Sequence, residues 1–378
     1  MKKRLGDYIK EYSVRNKENQ DIPVYSVTNT EGFCQDYFGK EVASKDKSTY
    51  KIVPQGYFAY NPSRINVGSV DWQRTKERVI VSPLYNVFSV SDKLDQQYLY
   101  YYLKSDFALQ RIKAVATGSV RDNLKLKMLY EFPINIPELS SQKNIVELLD
   151  KIKKIEGVKK AELDYFDTLV KARFVEMFGN PNEINKIANA QIKDVASVKV
   201  GIVIKPTQFY SDDKTGKCAF RSLNIIPFGV KKNSEWVYFT DAAMSENKRT
   251  IVHEGDLLIV RSGNPGTCCV VPREYDGCNV IDLIIAHPDN SKILPEYLCA
   301  FTNMPYGMNQ INNQQHGVAQ RHFNVSMYEK MKLYVPKLSM QHQFVDFMIR
   351  ADKSKVAIQK SLDETQILFQ SLMQKYFG

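Results

Sequence analysis

The sequence has few of the features that announce secretion, membrane residence or catalysis. No stretch approaches eighteen consecutive apolar residues, so no transmembrane helix is expected. The start, MKKRLGDYIKEY, has basic residues with no apolar run behind them, which argues against a secretory signal and predicts a cytoplasmic protein. The six cysteines (Cys34, Cys218, Cys268, Cys269, Cys278, Cys299) show no C-x-x-C spacing, and no nearby histidine completes a zinc set. They are expected to be free thiols, used as small apolar strand residues.

Catalytic signatures are equally scarce. The five histidines (His253, His287, His316, His322, His342) form neither H-E-x-x-H nor a triad-like pattern. The run Ser262-Gly263-Asn264-Pro265-Gly266-Thr267 lacks the Gly-Lys-Ser/Thr ending with which a phosphate loop grips its ligand, and no G-x-G-x-x-G follows a strand. Tyr60-Asn61-Pro62-Ser63 lacks the second proline and the aromatic with which amino-methyltransferases hold a flipped base. No enzyme is expected, and no metal or cofactor is expected in this chain.

What the sequence does contain is a repeat. Residues 137–179 and 336–378 align without a gap at an offset of 199, with eleven identical positions, among them Pro137/Pro336, Gln142/Gln341, Leu163/Leu362 and Gly179/Gly378. The offset persists upstream in Val53/Val252, Gly56/Gly255, Tyr98-Leu99/Tyr297-Leu298 and Gly118/Gly317, whereas the earliest part needs indels. The 378 residues, ample for two or three domains, are therefore a tandem duplication of one unit, a globular lobe followed by a helix.

Each helix shows an apolar stripe, first Ile145, Leu148, Leu149, Ile152, Ile155, Leu163 and Phe166 through Met177, then Phe344, Phe347, Met348, Ala351, Ile358 and Leu362 through Tyr376. Ser140 and Ser339 are read as N-caps, and Gly179-Asn180-Pro181 as a stop. At about 1.5 Å per residue each helix spans roughly 50–60 Å. Two such stripes most simply cover each other as a coiled coil; the alternative is that each packs on its own lobe. The lobes look mixed, with strands around residues 23–27, 78–82, 85–90, 256–260 and 268–271. One helical segment follows in each (96–113 and 295–312), then a Gly-containing polar loop and a last alternating strand through Leu124, Leu126 and Met128, or Phe323, Val325 and Met327.

The net charge of +10 divides as +5 for residues 1–139, +1 for 140–179, +3 for 180–338 and +1 for 339–378. The excess therefore lies in the lobes, as phosphate contact would require, and the near-neutral helices suit a spacer and protein-binding surface. DNA sequence is read by paired hydrogen bonds to base edges, from Arg to guanine and from Asn or Gln to adenine. Such residues concentrate on the expected loops. In lobe one these are Asn61, Ser63, Arg64 and Asn66, with Arg121 and Asn123 on the later loop; in lobe two they are Arg261, Ser262 and Asn264, with Gln320, Arg321 and His322. The apolar frame repeats while the polar side chains differ, as expected of two readers of different half-sites. A coiled-coil scaffold whose lobes bind protein partners is the alternative.

Over essentially its whole length the chain resembles the specificity subunit of type I restriction-modification systems. Pro137-x-Leu139-Ser140-x-Gln142 and Pro336-x-Leu338-Ser339-x-Gln341 look like the beginnings of that family's conserved helices, and Phe174-Val175-Glu176-Met177-Phe178-Gly179-Asn180-Pro181 like their exit. Gly255-Asp256-Leu257-Leu258-Ile259-Val260-Arg261-Ser262-Gly263 looks like a target-recognition strand and loop, from which Asn61-Pro62-Ser63-Arg64 in lobe one departs. The resemblance implies an α+β fold, a pseudo-two-fold tandem repeat. Residues 1–136 and 180–335 would be mixed α/β target recognition domains. Residues 137–179 and 336–378 would be spacer helices forming an antiparallel coiled coil that fixes the distance between half-sites. It implies double-stranded DNA as ligand and a non-catalytic role. The partners it implies are two modification subunits carrying S-adenosylmethionine and restriction subunits using ATP and Mg2+, with no membrane.

Overall fold

A computed structural model describes residues 2–35, 46–116, 123–212, 214, 216–315 and 323–378. The chain forms two compact units, one of Met1–Ala161 with Ile358–Gly378, the other of Glu162–Ala357. The division cuts through both long helices, so each unit holds one lobe and parts of both helices.

In the first unit, period-two alternation builds a four-stranded antiparallel sheet. Its strands are β1 (Ile9–Glu11), β2 (Phe58–Tyr60), β3 (Val70–Trp72) and β4 (Asn86–Val90), in the order β1-β4-β2-β3. Successive side chains point to opposite faces. Phe58, Tyr60 and Phe88 accordingly join one core with the helices, while Ala59 and Val87 join another with Val53, Val79 and Val81. Phe58 and Phe88 are register partners and their rings stack at 5.1 Å.

Helices α1 (Gln96–Lys104) and α2 (Asp106–Val115) follow, then α3 (Leu126–Tyr130), a short strand Pro133–Ile134 paired with Lys3–Arg4, and α4 (Leu139–Phe178). The single helix expected over 96–113 is two. Ser105 is extended, and its hydroxyl accepts from Ala108 N–H, so it closes one helix and caps the next.

The second unit repeats this plan. Strands β5 (Ala196–Val200), β6 (Leu257–Val260), β7 (Cys268–Val270) and β8 (Leu283–Pro288) are ordered β5-β8-β6-β7. Helices α5 (Pro295–Asn303), α6 (Pro305–Gln315), α7 (Val325–Glu329) and α8 (Leu338–Phe377) follow. Shifted by the offset of the sequence repeat, α1 to α4 superimpose on α5 to α8 almost end to end. The strands do not all obey that offset: β1 begins at Ile9 and β5 at Ala196, a shorter separation, and the β2 partner Trp72 and the β6 partner Val270 are one residue closer than the offset, so indels lie on both sides of β2. Segment 295–312 is also broken, at Met304, because a residue before proline is driven out of the helical region. Cys268 and Cys269 are buried on opposite faces of the sheet, as small strand residues.

Two local expectations fail in both lobes. The alternating run expected as a last strand is instead the start of a short helix, α3 or α7. Asn324 caps α7 by accepting from Met327 N–H, and the alternation of Phe323, Val325 and Met327 straddles that cap. The strand comes later and is very short, Pro133–Ile134 or Lys332–Leu333. Nor are Ser140 and Ser339 N-caps. Gln142 N–H bonds to Glu138 O and Gln341 N–H to Lys337 O, so the helices begin earlier and the serines lie in the first turn.

Both long helices run antiparallel wherever they meet. In the first unit Lys153 lies over the Phe369 ring at 4.0 Å, and Lys159 Nζ donates to Ser361 Oγ at 2.6 Å and Thr365 Oγ1 at 2.8 Å. In the second, Lys355 pairs with Asp167 at 2.6 Å, and Phe174 meets Phe344 edge-on at 4.9 Å. The apolar stripes cover each other and the lobes as well. Leu149 joins the first lobe's core beside Met373 and Phe377, the end of the other helix. Phe174 and Phe178, the end of α4, join the second lobe's core beside Phe344. Each lobe is therefore closed by the start of its own helix and the end of the other.

A buried glutamine fixes the start of each helix. Gln142 Oε1 accepts from Asp95 N–H at 2.8 Å, and its Nε2 donates to Lys93 O at 3.0 Å and Pro137 O at 2.8 Å. Gln341 repeats this with Leu294 N–H at 2.8 Å, Lys292 O at 3.0 Å and Pro336 O at 2.9 Å. Both glutamines are fully buried. Nearby, Tyr98 donates to Asn135 O and Tyr297 to Tyr334 O, equivalent positions of the repeat once more.

Candidate nucleic-acid interface

The loops that carry the expected base-reading residues grow from one frame. Gly56 and Gly255 turn the chain into β2 and β6 with φ of +82° and +89°, a conformation that favours glycine. Their N–H groups reach Gln73 O at 2.7 Å and Val271 O at 3.0 Å. After β2, Asn61 Oδ1 accepts from both the N–H and the hydroxyl of Ser63, and Arg64 N–H bonds to Asn61 O. Ile65 is buried beneath this turn, leaving Arg64 exposed and Asn66 half-buried. Lys104 of α1 reaches over to donate to Gly68 O and to Asn29 O, and burial lowers its ammonium pKa.

After β6 the turn is built differently. Val260 N–H bonds to Thr267 O and Gly266 N–H to Val260 O, closing residues 261–266 into a narrow loop. Gly266 has φ +91°, and a Cβ there would stand 2.5 Å from Ile311 Cδ1 on α6. Asn264 is exposed and Ser262 half-buried. Arg261 turns inward: its guanidinium donates to Asp282 at 2.5 Å and to Phe323 O at 3.2 Å, and its side chain is only 14% exposed.

In each lobe the chain returns to this turn after its polar loop. Leu124 N–H donates to Pro62 O at 3.0 Å, and Phe323 N–H to Arg261 O at 3.2 Å, the same bond at equivalent positions of the repeat. In the first lobe Tyr60, itself fully buried, donates its hydroxyl to Leu124 O and accepts from Asn86 Nδ2; burial pushes its pKa up. In the second lobe the Arg261 side chain takes over the contact to residue 323. The structure thus brings Asn61, Ser63, Arg64 and Asn66 to the chain that leaves Asn123, and Arg261, Ser262 and Asn264 to the chain at Phe323. Arg121, Gln320, Arg321 and His322 lie outside the described residues.

Several participants carried no signal in the sequence. Asp282 holds Arg261 from a position with φ +50°, in a segment that reads as strand. Neither Tyr60 nor Lys104 is among the expected base readers. A lone basic side chain also gains company: Arg74 packs over the Trp72 ring at 4.5 Å and the Tyr100 ring at 5.2 Å, and pairs with buried Asp71 at 2.7 Å. In the second lobe, Asp256 accepts from His287 Nδ1 at 2.5 Å and from His253 N–H at 2.7 Å, so the pair braces the turn at Gly255. Among the described residues, no helix is long and apolar enough to cross a membrane.

Comparison with known proteins gives a consistent picture. The family model for the type I restriction modification DNA specificity domain matches twice, over residues 3–165 and 186–366. A putative type I restriction enzyme specificity subunit from Haemophilus influenzae is 25% identical over 280 residues, 70% of this chain and 66% of that protein. A solved chain from work on complex assembly and conformational transition of the type I restriction-modification system superposes with a TM-score of 0.65 at 14% identity, covering 100% of this chain and 97% of its own. The type I S subunit from M. genitalium gives 0.57, also at 14% identity, covering 100% and 96%. At such identities these two likenesses speak to the fold alone.

Proposed function

The chain belongs to the type I restriction-modification DNA specificity family, and on that premise we propose that it reads a bipartite DNA target, one half with each lobe. The observation that carries this is the bond from residue 124 to 62 and from 323 to 261. One frame holds two loops of different chemistry, a turn presenting Arg64 in the first lobe and a turn presenting Asn264 in the second. Equal frames with unequal side chains suit two half-sites of unequal sequence. The antiparallel helix pair suits a spacer between them, by the logic through which paired readers fix half-site separation. The bases between the half-sites go unread.

In this reading the chain performs no chemistry. S-adenosylmethionine belongs to two modification subunits, and ATP and Mg2+ to restriction subunits, all docked on this scaffold. The long helices offer apolar side chains for that docking: α4 exposes Leu148, Ile155, Val158 and Tyr165, and α8 exposes Ile349, Val356, Ile367 and Leu368. Basic residues of the lobes contact phosphate, which makes binding fall steeply with salt. The test is selection from a randomised duplex library by the chain assembled with its modification partner. Two enriched blocks separated by a gap of fixed length support the reading. No enrichment by an assembled complex, or one continuous block, contradicts it.

A further inference from the structure

We propose that Cys218 and Cys278 are an oxidative modification site, closing into a reversible disulfide that staples the second lobe. The two residues lie on adjacent parallel segments. Ala219 is the register partner of Asn279 and Phe220 of Val280, which sets residues 218 and 278 side by side. Neighbouring strands are about 4.8 Å apart, inside the Cα range that a disulfide spans. The sulfurs are already 2.9 Å apart, so bond formation at about 2.0 Å needs a further approach of about 0.9 Å and no strand rearrangement.

Access separates Cys218 from the lobe's other close thiols. Cys268 and Cys299 approach to 3.6 Å, but both are buried, and burial pushes the Cys268 thiol far up. Cys218 is only partly buried. Its hydrogen bond with the Cys278 sulfur and the nearby Lys217 ammonium both favour its thiolate against the opposing effect of burial. The chemistry balances with a peroxide as oxidant. The Cys218 thiolate attacks a peroxide oxygen, the O–O bond breaks, and a sulfenic acid and hydroxide form. Cys278 sulfur then attacks Cys218 sulfur; the S–S bond forms, the S–O bond breaks, and the Cys278 proton leaves with hydroxide as water. Two thiols are oxidised and one peroxide is reduced to two waters. The link closes a loop between residues 60 apart in sequence, which contains β6, β7 and the loop over 261–266. Constraining that loop in the unfolded chain raises the stability of this lobe.

The experiment uses the full chain assembled with its modification partner, treated with hydrogen peroxide, then alkylated under denaturing conditions and mapped by mass spectrometry. The expected product is a Cys218–Cys278 linked peptide, lighter than the two reduced peptides by about 2 Da and returned to them by dithiothreitol. Cys34, Cys268, Cys269 and Cys299 stay alkylatable. The oxidised protein unfolds at higher urea when followed at Trp236, and Cys278→Ser abolishes both the link and that shift. Cys218 recovered as sulfinic acid with Cys278 reduced overturns the proposal, as does a linked peptide with no rise in the Trp236 midpoint. Neither readout depends on which DNA the protein reads.

Discussion

Removing one buried amide should unlock the junction between lobe and helix. Gln341 satisfies one N–H and two carbonyls at the turn into α8, with bonds of 2.8, 3.0 and 2.9 Å. Gln341→Ala leaves those groups without that partner, in a site closed to solvent. A stranded buried polar group costs about 1–3 kcal/mol, partly relieved here by water entering the space vacated, so the net loss is about 3 kcal/mol. With a urea dependence of about 2 kcal/mol per molar, the midpoint falls by about 1.5 M. The chain has two tryptophans, Trp72 in the first unit and Trp236 in the second, so single-Trp variants report each unit separately. Gln341→Ala should move the Trp236 transition and Gln142→Ala the Trp72 transition. Gln341→Met keeps the volume but not the bonds and should be nearly as damaging. A shift below about 0.3 M, or rescue by methionine, would refute the hydrogen-bond account.

Four further expectations use the same reporters or a binding assay. Phe174 is packed by Phe178, Tyr297, Tyr306 and Phe344 at 4.8–5.5 Å, so Phe174→Ala should cost about 3–5 kcal/mol in the second unit, seen at Trp236, although α4 begins in the first. Phe377→Ala should act instead at Trp72, because its ring meets Tyr98 at 5.0 Å; the reverse assignment would show that the helix ends do not close the lobes as described. Gly266→Ala places a Cβ 2.5 Å from Ile311 at φ +91° and should cost about 2 kcal/mol, with faster hydrogen exchange across residues 261–267; unchanged exchange and stability would show that the loop is not held against α6. Arg64→Ala should weaken specific DNA binding by about 1–3 kcal/mol if the exposed guanidinium reads a base, and the loss should be confined to targets carrying one base at one position. An equal loss on all sequences would reassign Arg64 to phosphate.

Much of the architecture was legible because the repeat states it twice. An offset of 199 picked out Gln142/Gln341 and Tyr98/Tyr297 by identity, and those residues make the same bonds in both lobes. Gly56/Gly255 were legible for the same reason, since both hold a left-handed turn. Short alternations were misread. Leu124, Leu126 and Met128 alternate like a strand, but hydrogen bonds from residue 124 back to the β2 loop end the extended chain there and a helix follows. Segments 96–113 and 295–312 kept helical periodicity through their breaks, because one extended residue barely disturbs an apolar stripe. The exchange of helix ends was not legible, since a stripe records that a face is covered and not by what. Nor was the inward turn of Arg261, which depends on Asp282, distant in sequence and packed beside it only in the folded lobe.

The most direct test of the central claim is methylome sequencing of cells that express this chain with its modification partner, compared with cells that carry the partner alone. The account predicts new N6-methyladenine at a split motif. Exchange of residues 1–136 for those of another specificity subunit should then change one half of the motif and leave the other intact. No chain-dependent methylation from a demonstrably assembled complex, or an exchange that alters both halves together, would contradict it.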